Sequence, residues 1–158
     1  MLVREDSVRS RPERAGEGLR NTAMRNTIKL SFTTGFKTGN RALDIQVRIL
    51  MGLFQDLMDA YGAERDPQEV TDLEGSATAY FTRYITEQEK EMTATGYPSL
   101  SHHRLHHQRY ALEFKTIMQE ADIAQRLILY AGFLEDFLAL HVMTLDKDFS
   151  RFCQARTG

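Results

Sequence analysis

The chain has 158 residues, a formal net charge of −2 and a single cysteine, Cys153. That length suits one domain with a substantial core, and one cysteine excludes an internal disulfide and suits a reducing compartment. The longest apolar run, Leu127 to Leu134, falls well short of the roughly 20 residues a membrane span needs, so the expectation is a soluble cytoplasmic protein with no membrane partner.

Charge is unevenly spread. Residues 1–29 hold seven Arg or Lys (Arg4, Arg9, Arg11, Arg14, Arg20, Arg25, Lys29) and four acids (Glu5, Asp6, Glu13, Glu17), a net of +3 that leaves −5 for the remainder. Residues 1–30 mix Arg, Ser, Gly and acids without the period of a core helix and read as a largely disordered basic tail. They carry no apolar region ahead of a small-residue cleavage site, so no secretory signal is expected. A role as a nucleic-acid arm is disfavoured by the interspersed acids and by the lack of an aromatic to stack on bases. Met24 is an alternative start of translation.

From Asn40 the pattern resolves into four helices. The first follows Thr38-Gly39-Asn40, carries Leu43, Val47, Leu50, Phe54 and Leu57 on one face and ends near Tyr61-Gly62. The second opens at Asp66-Pro67-Gln68-Glu69 with an N-cap acid, a first-turn proline and a reciprocal capping glutamate. It runs through Leu73, Ala77, Tyr80, Tyr84, Gln88 and Met92 to a stop at Gly96 and Pro98. The third follows Ser99. The fourth starts at the capping box Asp122-Ile123-Ala124-Gln125 and presents Leu127, Tyr130, Leu134, Phe137 and His141. No strand pattern competes, so the chain is expected to be all-α, an antiparallel up-down four-helix bundle over residues 31–153, with 154–158 as a short tail.

Histidines on these stripes point to metal chemistry. Helical steps from His103 and His107 lead to Tyr110, Phe114 and Ile117, whereas steps from His102 and His106 lead to Arg109, Glu113 and Glu120. The first pair is therefore expected to face the core and the second to face water. Residues four apart on a helix stand roughly 6 Å from one another, which suits two imidazoles gripping one ion. His141 adds a third from the fourth helix. Asp146, five positions on, lies about 140° round an ideal helix, so it reaches the same point only through a distorted turn. Three histidines and a carboxylate suit a single Fe(II), Zn(II) or Mn(II) ion. The bland alternative is that the histidines are core polar groups, each needing a buried partner, and that Asp146 is a surface acid.

The segments Gln88-Glu89-Lys90-Glu91-Met92, Gly96-Tyr97-Pro98, His103 with His107, and Phe137-Leu138-Ala139-Leu140-His141 with Asp146 occur in this order. With Leu43-Asp44-Ile45-Gln46 before them, they resemble the bacterial haemerythrins, from about Phe32 to Phe152. The resemblance implies a four-helix bundle related to proteins that hold two non-haem irons through five histidines and two bridging carboxylates and bind dioxygen. Carried onto this sequence, it makes His103, His107, His141 and Asp146 metal ligands. Val47 and Tyr84 stand at the two remaining histidine positions, and Gln88 stands where the bridging glutamate would be. The three matching histidines belong to one iron in the family and the two missing ones to the other. Tyr84, as a phenolate to ferric iron, and Gln88, as a neutral amide oxygen, are secondary ligand candidates.

Dioxygen binding of the haemerythrin type takes one electron from each of two irons, so loss of one half-site implies a different behaviour. The expectation is a haemerythrin-like non-haem iron protein that holds one ion, takes dioxygen or another small diatomic ligand, and is not a conventional reversible carrier. Two alternatives stand beside it: a metal-free pseudo-haemerythrin serving as an interaction module in signalling, and a di-iron dioxygen-binding protein in which a second iron is retained. No Gly-rich phosphate loop or nucleophile–base pair suggests an enzyme.

Overall fold

Asn40 starts the first helix, α1 (Arg41–Gly62), by accepting from the amides of Ala42 and Leu43 at 3.0 and 3.2 Å. Side-chain caps of this kind satisfy donors that have no partner within the helix. Gly39 precedes it at φ +92°, in the region that favours glycine, and Thr38 donates from its amide and hydroxyl to Asp44 Oδ1. This is a computed structural model, and it describes residues 37–63 and 65–157. The basic tail, the alternative start at Met24 and residues 31–36 lie outside the described residues.

The second helix, α2 (Pro67–Thr95), begins as its sequence suggests, with Asp66 accepting from the Gln68 amide at 2.8 Å. The reciprocal bond expected of Glu69 is replaced. Its carboxylate pairs at 2.5 Å with Arg65, a charged partner that outcompetes a backbone amide. At the other end Gly96 adopts φ +66°, the Tyr97 amide donates to the Met92 carbonyl and the Gly96 amide to that of Thr93. Tyr97 and Met92 then pack together, completing a Schellman stop. Helix α3 spans Leu100–Met118 and α4 spans Ile123–Asp136. Only half of the capping box expected for α4 forms: Asp122 accepts from the Gln125 amide, while the Asp122 amide donates to Glu120.

Beyond Asp136 the helix does not stop. It widens into a π-helical segment, Phe137–Asp146, and returns to α geometry in α5 (Lys147–Thr157). The stretch expected as a short tail from residue 154 is helical as far as Thr157. Within it Gln154 donates to the Gly39 carbonyl at 2.8 Å. No strand occurs among the described residues.

The four long helices pack in succession, α1 on α2, α2 on α3 and α3 on α4, and α4 also packs on α1. Every α1 residue expected to face inward is buried, as are Ala77, Tyr84, Gln88 and Met92 of α2, whereas Leu73 and Tyr80 are only partly buried. Phe54, Phe81, Phe114, Tyr130 and Phe133 form a dense aromatic core with ring centroids 5.3–6.3 Å apart. A smaller apolar cluster, Met92, Tyr97 and Phe149, lies apart from it.

One expectation about membranes needs qualifying. The continuous helix Ile123–Arg156 contains an 18-residue window of mean hydropathy 1.5, enough by length and composition to cross a bilayer. Counting uninterrupted apolar runs overlooks it because Glu135, Asp136 and His141 break the run. Of that window 44% is buried within the protein. Ile128, Leu129 and Leu140 remain on its exposed side.

Candidate metal centre

Both apolar clusters reach the histidines. Phe137 of the main core stacks on His141 with centroids 5.2 Å apart and planes 17° from parallel, and Tyr110 meets the same ring edge-on. Tyr97 of the smaller cluster approaches His103 edge-on. His103, His107, His141 and Asp146 are all buried, at 0–1% exposure.

Each imidazole turns Nε2 toward the same point. His141 Nε2 lies 3.2 Å from His103 Nε2 and 3.1 Å from His107 Nε2, and Asp146 Oδ1 lies 3.0 Å from His103 Nε2 and 3.2 Å from His141 Nε2. The four donor atoms all fall within 4.8 Å of one another, an arrangement that could hold a metal ion. Neighbouring ligands around an ion bound at about 2.0–2.2 Å have separations of this size. The candidates His103, His107, His141 and Asp146 are thus brought together.

Backbone geometry explains how Asp146 joins them. In an α-helix residues five apart diverge, but the π-helical segment bonds i to i+5 and brings such residues onto nearly one face. The distorted turn that Asp146 requires is therefore a run of π-helix beginning before His141.

Tyr84 and Gln88 also reach the cluster, as supports of Asp146. The Tyr84 hydroxyl donates to Asp146 Oδ2, and Gln88 Nε2 donates to Oδ1 at 2.8 Å. Val47, 4% exposed, lies within the apolar core.

A further acid sits behind His107. Glu89 Oε1 is 2.9 Å from His107 Nδ1, and its other oxygen accepts from Arg104 at 2.9 Å. A carboxylate at Nδ1 places the proton there and leaves the Nε2 lone pair facing the cluster. Among the described residues His103 Nδ1 and His141 Nδ1 have no hydrogen-bond partner, and neither does Gln88 Oε1. Glu89 escaped the sequence reading because a charged residue one step from a buried stripe looks solvent-facing, and only the packing of α2 on α3 sets it beside His107.

Burial favours the neutral form of His103 and His107. Burial pushes His107 down to about 4, with the neighbouring His141 adding to the effect and Glu89 opposing it. Burial likewise lowers His103, against Asp146. For Asp146, burial acts upward but is overcome by charge from His141 and hydrogen bonds from His103 and His141, so the carboxyl stays ionised. The Tyr84 hydroxyl is raised well above its usual range, first by burial and then by the Asp146 charge, so it remains a donor. Neutral imidazoles with an ionised carboxylate are the protonation states that ligate metal. Comparison with models of protein families, with curated proteins and with solved structures finds no match to this chain.

Proposed function

We propose that the chain is a haemerythrin-like metal-binding protein, an antiparallel up-down four-helix bundle that holds one iron ion through His103, His107, His141 and Asp146. The observation that carries this reading is the convergence of three imidazole Nε2 atoms and a carboxylate oxygen in one buried site. Zinc and manganese suit the same ligand types. Bound there, ferrous iron would supply open positions for dioxygen or another small diatomic ligand. The reading places the protein in the cytoplasm as a sensor or handler of such ligands, not as an enzyme.

A count of one ion is supported by what surrounds Asp146. Val47 has no donor atom, the Tyr84 hydroxyl is turned to the carboxylate, and Gln88 donates to it through Nε2 and keeps only a neutral amide oxygen, with no charge to offset a second dication. Elemental analysis of protein purified without chelators should give about one metal ion per chain. Reduced, iron-loaded protein should show no reversible dioxygen-dependent visible absorption. Two irons per chain with reversible oxygenation would replace this reading with a conventional dioxygen-binding one.

A second reading is favoured by one observation. The contacts of His103 with Asp146 and of His141 with His107 are also ordinary hydrogen bonds if one Nε2–H of each pair donates. A protein that neither retains nor takes up metal would be a pseudo-haemerythrin interaction module.

A further inference from the structure

Helix α3 carries two histidine pairs, and the outer one repeats the geometry of the inner. His103 and His107 have ring centroids 4.7 Å apart with planes at 64°, and His102 and His106 have centroids 4.8 Å apart with planes at 61°. The spacing of four residues is the same, so both pairs present two imidazoles to one side of the helix. His102 is exposed and His106 half-buried, so the outer pair opens to water. Among the described residues His106 Nδ1 is buried without a hydrogen-bond partner. The expectation that both face water holds for His102 but only in part for His106, whose ring lies 6.4 Å from that of His141.

We propose that His102 and His106 form a second, outer metal site, and that the buried centre is loaded through it. This rests on the reading that the buried cluster holds metal. Two imidazoles four apart on a helix favour borderline divalent ions such as Zn(II), Ni(II) and Cu(II) over hard ions such as Mg(II) and Ca(II). With two protein ligands and the remaining positions open to water, the outer site binds more weakly and exchanges faster than the four-ligand cluster. His106 spans the two, reaching solvent on one side and the His141 ring on the other. An ion captured outside is thus one imidazole away from the buried ligands.

Zn(II) titration of the metal-free full chain against a chromophoric chelator, with stopped-flow measurement of uptake, tests this. The wild type should show one tight and one weaker class of site. The double substitution His102→Gln with His106→Gln should abolish the weaker class, keep the tight one and slow its filling several-fold. The converse pair, His103→Gln with His107→Gln, should lose the tight class and keep the weaker one, with circular dichroism confirming that both variants fold. Absence of a weaker class in the wild type, or its survival in the His102/His106 variant, overturns the proposal. So does an unchanged filling rate in that variant. Loss of the tight class alone from the wild type would count against the buried centre, and the outer site would still be judged by its own substitution.

Discussion

His141 and Asp146 are five residues apart in one helix, yet His141 Nε2 and Asp146 Oδ1 stand 3.2 Å from each other. The π-helical stretch that makes this contact replaces α-helical bonding over Phe137–Asp146, a form that is rare and concentrates at functional sites. Asp146 also receives Tyr84 and Gln88. It is the point at which α2, α3 and the π-helical segment are joined through polar atoms.

Asp146→Asn preserves shape while removing the only anionic ligand of the cluster. Metal affinity, measured by competition with a chelator, should fall by more than the roughly 10–100-fold that loss of an outer partner costs. Unchanged affinity would show that the ion sits elsewhere.

Glu89→Gln should leave helix content intact and weaken metal binding by about 10–100-fold, because His107 would lose the carboxylate that fixes its tautomer. Arg104→Gln should have a smaller effect, since Arg104 acts only through Glu89. Equal losses in the two variants would indicate that the Arg104–Glu89 ion pair matters for helix packing more than for orienting the imidazole.

Tyr84→Phe separates support from ligation. The structure gives the Tyr84 hydroxyl to Asp146, so the variant should keep one metal per chain. It should lose about 1–3 kcal/mol of stability by urea unfolding, as one carboxylate oxygen is left unsatisfied. Ferric-loaded wild type should show no phenolate-to-iron band. Such a band, present in the wild type and absent from the variant, would make Tyr84 a ligand.

Metal-free protein should remain helical at neutral pH, because the aromatic core does not depend on an ion, and should lose stability on acidification. His107 is held near 4 when folded and titrates near 6.5 when unfolded. The unfolded chain therefore binds more protons between these values, and the contribution present above pH 6.5 is lost as pH falls toward 4. A shift of this size corresponds to something on the order of 3 kcal/mol. His103 moves in the same direction. Urea midpoints that do not change between pH 7 and 4.5 would contradict the burial of neutral imidazoles.

Much of this arrangement was legible because it obeys helical periodicity. The inward positions of Leu43, Val47, Leu50, Phe54 and Leu57, and of His103, His107, Tyr110, Phe114 and Ile117, follow from spacing alone, and all ten are buried. Glycine and proline marked the end of α2 for the same local reasons. What could not be read depends on packing between segments distant in sequence. The Glu89 contact with His107 spans 18 positions, and those of Tyr84 and Gln88 with Asp146 span 62 and 58. Phe81, central to the aromatic core at 2% exposure, was passed over because it adjoins Tyr80 on a stripe already assigned to its neighbour. Caps were only half readable, since Glu69 and Gln125 were each displaced by a competing partner.

The bond from Gln154 to the Gly39 carbonyl brings the entrance and the exit of the described chain side by side. A segment whose ends meet in this way is a cassette: it can be set into a loop of another protein without prising that loop apart. Joining the two ends with a short linker and opening the chain between α2 and α3 or between α3 and α4 is the corresponding rearrangement, and it would leave every residue of the histidine cluster on an unbroken helix.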